Sequence, residues 1–314
     1  VCSDGPYRIP RAIHQIWLGS PLPQAFARLQ QSWKSRHEDW EMRLWTEADV
    51  EAFGLENKAA YDAAKNFGQK SDIFRYEILL RHGGLYVDVD FICLGAFDDL
   101  HSRHDFYCGV SNTGTFELNN GLIGGGLGGL RDSGTIGAVD PLAALIGGLA
   151  SLGAGERGLL AGLLGGDDRE RLNEAMKVEP GSAAETIAKT GPGVFTMAVM
   201  EWISSAATSN DAIRSAIADL SLEHTPLSSH AYETSDAIVS TTMVLPPSYF
   251  YPVPNDIKGD LVGDGREDAI RSRAGQFFRE ESLAAHLWAK SWQQENKVGE
   301  SSLVRHTLIL CKDK

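Results

Sequence analysis

The chain has 314 residues, enough for one large α/β domain or two small ones, and its 43% hydrophobic content can fill a sizeable core. Its 29 Lys and Arg against 42 Asp and Glu give a net charge of −13. That balance excludes a general nucleic-acid binder, which needs a basic surface for the phosphate backbone. Small anions, held by a few local cations or a metal, are not excluded.

Four cysteines, Cys2, Cys93, Cys108 and Cys311, show neither CxxC spacing nor zinc-type pairing with histidine, so free buried thiols are expected ahead of disulfides. No apolar run reaches the ~20 residues that span a bilayer. The chain starts at Val1 rather than Met. An upstream piece (a tag, a signal or a membrane anchor) is expected to have been removed. With an anchor the protein belongs to the Golgi or secretory lumen, otherwise to the cytoplasm.

From the N-terminus, residues 9–19 read as a first strand, closed by Gly19 and a Pro21/Pro23 loop. His14, Ile16 and Leu18 fall on one face, and Ile13, Gln15 and Trp17 on the other. The C-terminal end of an early strand is where a parallel α/β sheet binds ligands, so Gln15 and Trp17 are candidates; Trp17 equally suits a core aromatic. Residues 24–36 form a helix through Phe26, Leu29 and Trp33, and 40–45 a second strand. Thr46 with Asp49 makes an approximate capping box. Strand and helix in alternation imply a parallel sheet. Helical runs over 58–66 and 71–82 follow, the second stopping at Gly83-Gly84. Asp72, Arg75 and Tyr76 share one face at i, i+3 and i+4. Near a helix N-terminus they suit an anion or a ligand hydroxyl; the alternative is a local Asp–Arg pair on the surface.

The next stretch, Gly83-Gly84-Leu85-Tyr86-Val87-Asp88-Val89-Asp90-Phe91, alternates with period two. Leu85, Val87, Val89 and Phe91 take one side; Tyr86, Asp88 and Asp90 take the other. Two carboxylates held together at a strand end repel unless a cation sits between them, and hard oxygen ligands suit Mg or Mn. A pair of solvated acids at a turn is the plainer reading.

Residues 105–110 make another strand, followed by Asn119-Asn120-Gly121. Gly121 to Gly166 holds 16 of the chain's 33 glycines, a density that disfavours regular structure. It reads as an inserted loop with possible helices at 142–149 and 159–164. No Lys-Ser/Thr follows, so it is no phosphate loop. Helices are expected over 168–177 and 195–219, with Thr190-Gly191-Pro192-Gly193 as a tight turn before the second. Pro246, Pro247 and Pro252 demote 244–251 to an edge strand or extended coil. Residues 256–268 are a polar loop, and 284–292 close the ordered part, with Trp288 and Trp292 at i, i+4 and Lys290 in reach of a phosphate. No linker divides the chain, so one domain is expected over 1–314.

Four motifs in order carry a resemblance over 8–292: Ile9-Pro10 with Ile13-His14-Gln15-Ile16-Trp17-Leu18-Gly19; Glu38-Asp39-Trp40-Glu41 with Leu44-Trp45-Thr46; Ser71-Asp72 with Phe74-Arg75-Tyr76; and Gly83 to Asp90. Together they resemble glycosyltransferase family 32, the DxD sugar transferases that include fungal α-1,6-mannosyltransferases and inositol-phosphoceramide mannosyltransferases. They are also similar to the catalytic domains of large clostridial glucosylating toxins. Fainter echoes are Asn120-Gly121, Thr190-Gly191-Pro192-Gly193, Phe250-Tyr251-Pro252 and His286-Leu287-Trp288 with Ser291-Trp292. The glycine-rich 121–166 segment departs from the pattern.

The resemblance implies a GT-A fold, a Rossmann-like α/β sandwich around a mostly parallel sheet. It implies a metal-dependent retaining transferase that moves a hexose from GDP-mannose or a UDP-hexose to a glycan, glycolipid or protein acceptor. By the same resemblance Trp17 stacks on the base, Asp72 and Arg75 meet the donor sugar, and Asp88 meets the ribose or sugar edge. Asp88 and Asp90 bind Mn2+ or Mg2+, Asp90 directly, and His286 completes the metal or diphosphate site. Tyr86 and Asn120 line the pocket, Trp288 covers the diphosphate, and Gln15, Ile16 and Tyr76 complete the donor site. Two rivals stand beside this reading. One is a DxD phosphatase with Asp88 as nucleophile and Asp90 as acid/base, disfavoured because Ile92, not Thr, follows Phe91. The other is a non-catalytic sugar-nucleotide or glycan-binding protein, against which the intact Asp72, Arg75, Asp88 and Asp90 argue.

Overall fold

A computed structural model describes residues 7–114, 116–126, 182–209, 242–257 and 259–289. The expected helices at 142–149, 159–164 and 168–177, most of the glycine-rich segment, Cys2, Cys311, Lys290 and Trp292 lie outside the described residues.

Strands β1 (Ala12–Ile16), β2 (Glu41–Trp45), β3 (Gly84–Val87), β5 (Phe106–Val110), β6 (Leu118–Gly125) and β7 (Thr242–Leu245) form one sheet in the order β2-β1-β3-β6-β5-β7. Three of its five pairings are parallel: β1 with β2, β1 with β3, and β5 with β7. The mostly parallel α/β architecture is therefore as expected, with one exception at its centre. There β6 runs antiparallel to both neighbours. The sequence reading ends regular structure near Gly121, and β6 extends past it because its glycines are packed. A Cβ at Gly124 would enter the ring of Tyr107 on β5. A second, two-stranded antiparallel sheet joins β4 (Phe91–Cys93) to β8 (Ala284–His286).

Helices cover both faces of the large sheet. On one side α4 (Phe67–His82) and the helix Pro192–Ser209 pack Ile73, Phe74, Phe195 and Val199 against Ile16, Tyr86, Phe106 and Ile123. On the other, Trp33 of α1 (Gln24–Lys34), with Phe97, Phe250 and Tyr251, packs on Ile13, Leu85, Val87 and Leu122. Thr46 and Asp49 make the expected capping box at the helix Glu47–Phe53. β7 is the expected edge strand, but Pro247–Phe250 is a helical turn.

Two boundaries matter for the site. Helix α4 begins four residues earlier than expected, with the Asn66 side chain accepting from the Gln69 N–H. Asp72 and Arg75 therefore lie in the helix body, not at an anion-binding N-terminus. Ten of the 16 residues of α4 are buried, among them Gln69, Asp72, Arg75 and Glu77, so these polar groups must find partners inside the protein. Glu77 does so by accepting the backbone N–H groups of Glu56 and Asn57 at 2.8 and 2.7 Å. The second boundary is β3, which ends at Val87. Asp88-Val89-Asp90 is a turn, and Phe91 already belongs to the other sheet.

Cys93 and Cys108 are free, buried thiols, as expected. Among the described residues no helix is long and apolar enough to cross a membrane.

Candidate active site

The turn after β3 carries both acids. Asp88 N–H donates to the Gly121 carbonyl at 2.8 Å, and Phe91 N–H closes the turn on the Asp88 carbonyl at 3.2 Å. Asp88 and Asp90 thus converge through a turn between two sheets, not through alternation along one strand. Asp90 takes two bonds from the β8 segment: His286 Nε2 lies 3.0 Å from its Oδ1, and the Ala289 N–H donates to its Oδ2 at 2.8 Å. The Leu287 N–H donates to its carbonyl. One ligand atom each from Asp88, Asp90 and His286 lies within 4.8 Å of the others.

The charges at this end are unequal. Burial works to raise the Asp90 carboxyl, but His286 and the Ala289 N–H outweigh it and hold the group below its usual range. Asp88 moves the other way, raised by burial and by its neighbour Asp90 against the pull of Arg75. Asp88 also accepts from Tyr86 Oη at 2.6 Å, and its side chain stays 28% exposed, open toward solvent. Two carboxylates and an imidazole so placed fit one divalent cation of the Mg or Mn kind, the donor set being hard and oxygen-rich. His286 Nδ1 is buried without a partner among the described residues, while its ring stacks on Phe91 at 4.6 Å and meets Trp288 at 4.1 Å.

Behind the acids lies a buried polar circuit. Arg75 is 5% exposed and bridges two carboxylates: Nη2 to Asp72 Oδ1 at 3.0 Å and Nη1 to Asp88 Oδ1 at 3.3 Å. Nη1 also donates to the Asn120 carbonyl at 2.7 Å, and the guanidinium lies 4.5 Å from the centre of the Tyr86 ring. Burial works to lower the Arg75 pKa, but Asp88, Tyr86 and Asp72 raise it further, so it is a permanent cation here. Asn120 Nδ2 donates to Asp72 Oδ1 and to Tyr76 Oη, both at 2.8 Å. Burial pushes the Asp72 carboxyl up to about 6 against Arg75, Thr190 and Asn120, which lower it.

The structure brings together Asp72, Arg75, Tyr76, Tyr86, Asp88, Asp90, Asn120, His286 and Trp288 through these contacts. Gln15 joins them from behind: fully buried, it donates to the Asp88 carbonyl at 3.4 Å and accepts from Gln30 at 2.8 Å. Trp17 stands outside the circuit at the end of β1, half-buried against Phe26 with its indole N–H on Ser20 Oγ. Ile16 points into the core with Trp45 and Phe74, so only its backbone is near the edge of the sheet. Trp288 follows β8 in irregular backbone and is not helical. Its φ is +52°, a sparsely populated region for a bulky side chain, and its Nε1 donates to the Val253 carbonyl at 2.8 Å.

Sequence reading alone misses three contributors. Thr190 donates to Asp72. Ala289 acts only through its backbone N–H, which no residue type reveals. Gly121 leaves room for Asp88, since a Cβ there would lie 2.7 Å from Asp88 Oδ2. The Thr-Gly-Pro-Gly and Asn-Gly motifs are the signals that mark the first and the third, in that order.

Residues 23–107 match the family described as the glycosyltransferase sugar-binding region containing DXD motif. Over these residues the chain is similar to that family. It is 33% identical over 106 residues to inositol phosphoceramide mannosyltransferase 1 of Schizosaccharomyces pombe, covering 32% of this chain and 33% of that protein. It is 28% identical over 123 residues to mannosyl phosphorylinositol ceramide synthase CSH1 of Saccharomyces cerevisiae, covering 38% and 32%. The match thus spans about a third of the length of these curated relatives. Among solved structures it is similar to the catalytic domain of α-toxin from Clostridium novyi, over 62% of this chain and 73% of that one, at 10% identity and TM-score 0.37. Asp88-Val89-Asp90, the turn where the two sheets meet, lies within the matched residues.

Proposed function

We propose that this chain is a metal-dependent, retaining glycosyltransferase of GT-A architecture, which moves a hexose from a nucleotide-diphosphate sugar to an acceptor hydroxyl. The observation that carries this reading is the convergence of Asp88, Asp90 and His286 within 4.8 Å, inside the DXD family region. The names of the relatives favour mannose as the sugar, hence GDP-mannose ahead of UDP-hexoses, and a glycolipid ahead of a glycan or protein as acceptor.

The residues take these roles. Asp90, Asp88 and His286 hold Mn2+ or Mg2+, which when bound neutralises the diphosphate and makes it a better leaving group. Trp17, at the open end of β1, offers a face to the base. Asp72 and Asn120 meet the sugar hydroxyls, and Arg75 keeps Asp72 and Asp88 apart and charged. Trp288 closes over the diphosphate. Retention requires the acceptor to approach on the face from which the diphosphate leaves. The fixed positive charge of Arg75 beside that face stabilises the negative charge that develops there.

The test is a panel of GDP-mannose, UDP-glucose, UDP-galactose and UDP-N-acetylglucosamine with and without Mn2+. One donor is expected to raise Tm only with the metal and to be hydrolysed slowly without acceptor. No shift with any donor, together with phosphatase activity on an aryl phosphate, overturns the reading in favour of the phosphatase. Metal-dependent stabilisation without hydrolysis or transfer, acceptors included, makes the chain a binding protein instead.

A further inference from the structure

The Thr190-Gly191-Pro192 turn lies 118 residues from Asp72 along the chain, yet it closes a ring of hydrogen bonds on that carboxylate. Thr190 Oγ1 donates to Asp72 Oδ2 at 2.8 Å. Tyr76 Oη donates to the Thr190 carbonyl at 2.9 Å. Asn120 uses its two amide hydrogens, one on Tyr76 Oη and one on Asp72 Oδ1. Every donor in the ring is spent once. The Thr190 hydroxyl also lies 3.2 Å from the Thr186 carbonyl. That carbonyl already accepts the N–H groups of Thr190 and Gly191 at 3.1 and 2.8 Å, which fills its two lone pairs. The hydroxyl proton is therefore left to Asp72.

The rest of the motif serves the same contact. A Cβ at Gly191 would stand 3.0 Å from the Thr186 carbonyl and 3.4 Å from Asp72 Oδ2, so glycine lets the turn approach the carboxylate. Pro192 opens the following helix at N1, where its missing N–H costs nothing. Asp72 Oδ1 is taken up by Asn120 and Arg75, so Oδ2 is the oxygen whose direction one hydroxyl decides.

We infer that Thr190 is a positioning residue for the donor sugar: its hydroxyl fixes Asp72 Oδ2 in the orientation that the sugar meets. The inference rests on the reading above that Asp72 faces the sugar. A residue that acts on the sugar alone must separate the affinity for the whole donor from that for the nucleotide.

The experiment uses the full chain with Mn2+ and whichever donor of the four-member panel the wild type hydrolyses fastest, beside the matching GDP or UDP. In Thr190→Val, which keeps the shape and removes the hydroxyl, KM for the sugar nucleotide is expected to rise about tenfold or more, the scale of a lost hydrogen bond to a charged group. Affinity for the free nucleotide is expected to stay within about twofold. Thr190→Ser restores KM. Equal KM in Thr190→Val and wild type overturns the inference alone. A parallel loss of Tm, nucleotide affinity and donor affinity in both variants makes Thr190 a folding residue and also overturns it. A wild type that hydrolyses none of the four donors overturns the underlying reading, and the inference with it.

Discussion

At the scale of single residues, the site separates groups that act by charge from groups that hold charge in place. Asp90 is engaged on both oxygens by His286 and the Ala289 N–H, contacts that an amide can largely reproduce. Asp90→Asn is therefore expected to change Tm little while abolishing metal-dependent donor hydrolysis, since the neutral side chain no longer balances a divalent cation. Residual activity above about 1% of wild type, with Mn2+ still stabilising the variant, sinks the metal role. Arg75 is the opposite case. It is buried and serves two carboxylates, and removing it leaves Asp72 and Asp88 without their cation. Arg75→Ala is expected to cost about 3–5 kcal/mol, the scale for breaking a buried ion pair. Arg75→Lys should recover only part, because one ammonium cannot reach Asp72, Asp88 and the Asn120 carbonyl together. Denaturant unfolding checks both; a loss under about 1 kcal/mol in Arg75→Ala contradicts the bridge.

At the scale of elements, β6 decides where the site sits, and two of its glycines face different neighbours. Gly121 abuts the Asp88 carboxylate and Gly124 abuts the Tyr107 ring. Gly121→Ala is expected to push Asp88 aside and weaken Mn2+ binding about tenfold or more. Gly124→Ala overpacks the core, with an expected loss of about 1–3 kcal/mol and unchanged metal affinity in the folded fraction. Calorimetric titration with Mn2+ beside thermal melts separates them, and the same profile for both variants refutes the assignment. This strand also shows why the sequence was only partly readable. Strands β1, β2 and β5 and helix α1 announce themselves by apolar spacing, and Thr46 with Asp49 by cap chemistry. In contrast, Leu118-Asn119-Asn120-Gly121-Leu122-Ile123-Gly124-Gly125 has weak strand propensity, because its glycines and asparagines answer to Tyr107, Ser111, Asp72 and Asp88 across the fold. The same holds at the site. Asp88, Asp90, Asp72 and Arg75 are visible as motifs. The turn that aims the two acids and the Thr190 bond to Asp72 depend on pairings up to 199 residues apart, which local pattern does not encode.

At the scale of the whole molecule, burial keeps core histidines neutral, most strongly His14 and His101, and this sets the acid side of stability. His14 lies in β1 with Nε2 on the Gly83 carbonyl and Nδ1 accepting from the Trp45 indole. His101 is fully buried, with Nδ1 facing the carbonyls of Ile9 and Pro10 and Nε2 facing Tyr107 Oη. Burial drives His14 down to about 4 and His101 to about 3 from an ordinary 6.5. Between 6.5 and those values the unfolded chain binds protons that the folded chain refuses, so stability rises with pH there and is lost on acidification. By pH 5 each histidine contributes a loss of roughly 2 kcal/mol on the scale of 1.36 kcal/mol per pKa unit. Charge relief and burial-raised carboxyls, Asp88 and Glu117 as well as Asp72, oppose this. Asp72, pushed up to about 6, takes up a proton more readily folded than unfolded and returns about 1 kcal/mol over the same range. The net charge of −13 also shrinks toward zero near the pI of about 5.1, easing self-repulsion. The histidines outweigh Asp72, so Tm is expected to fall by several degrees from pH 7 to pH 5. In His14→Gln, whose amide can still donate to Gly83, that slope should flatten. A Tm that holds or rises across this interval, measured in dilute protein at fixed ionic strength, would show that charge relief dominates and that the buried imidazoles do not control acid unfolding.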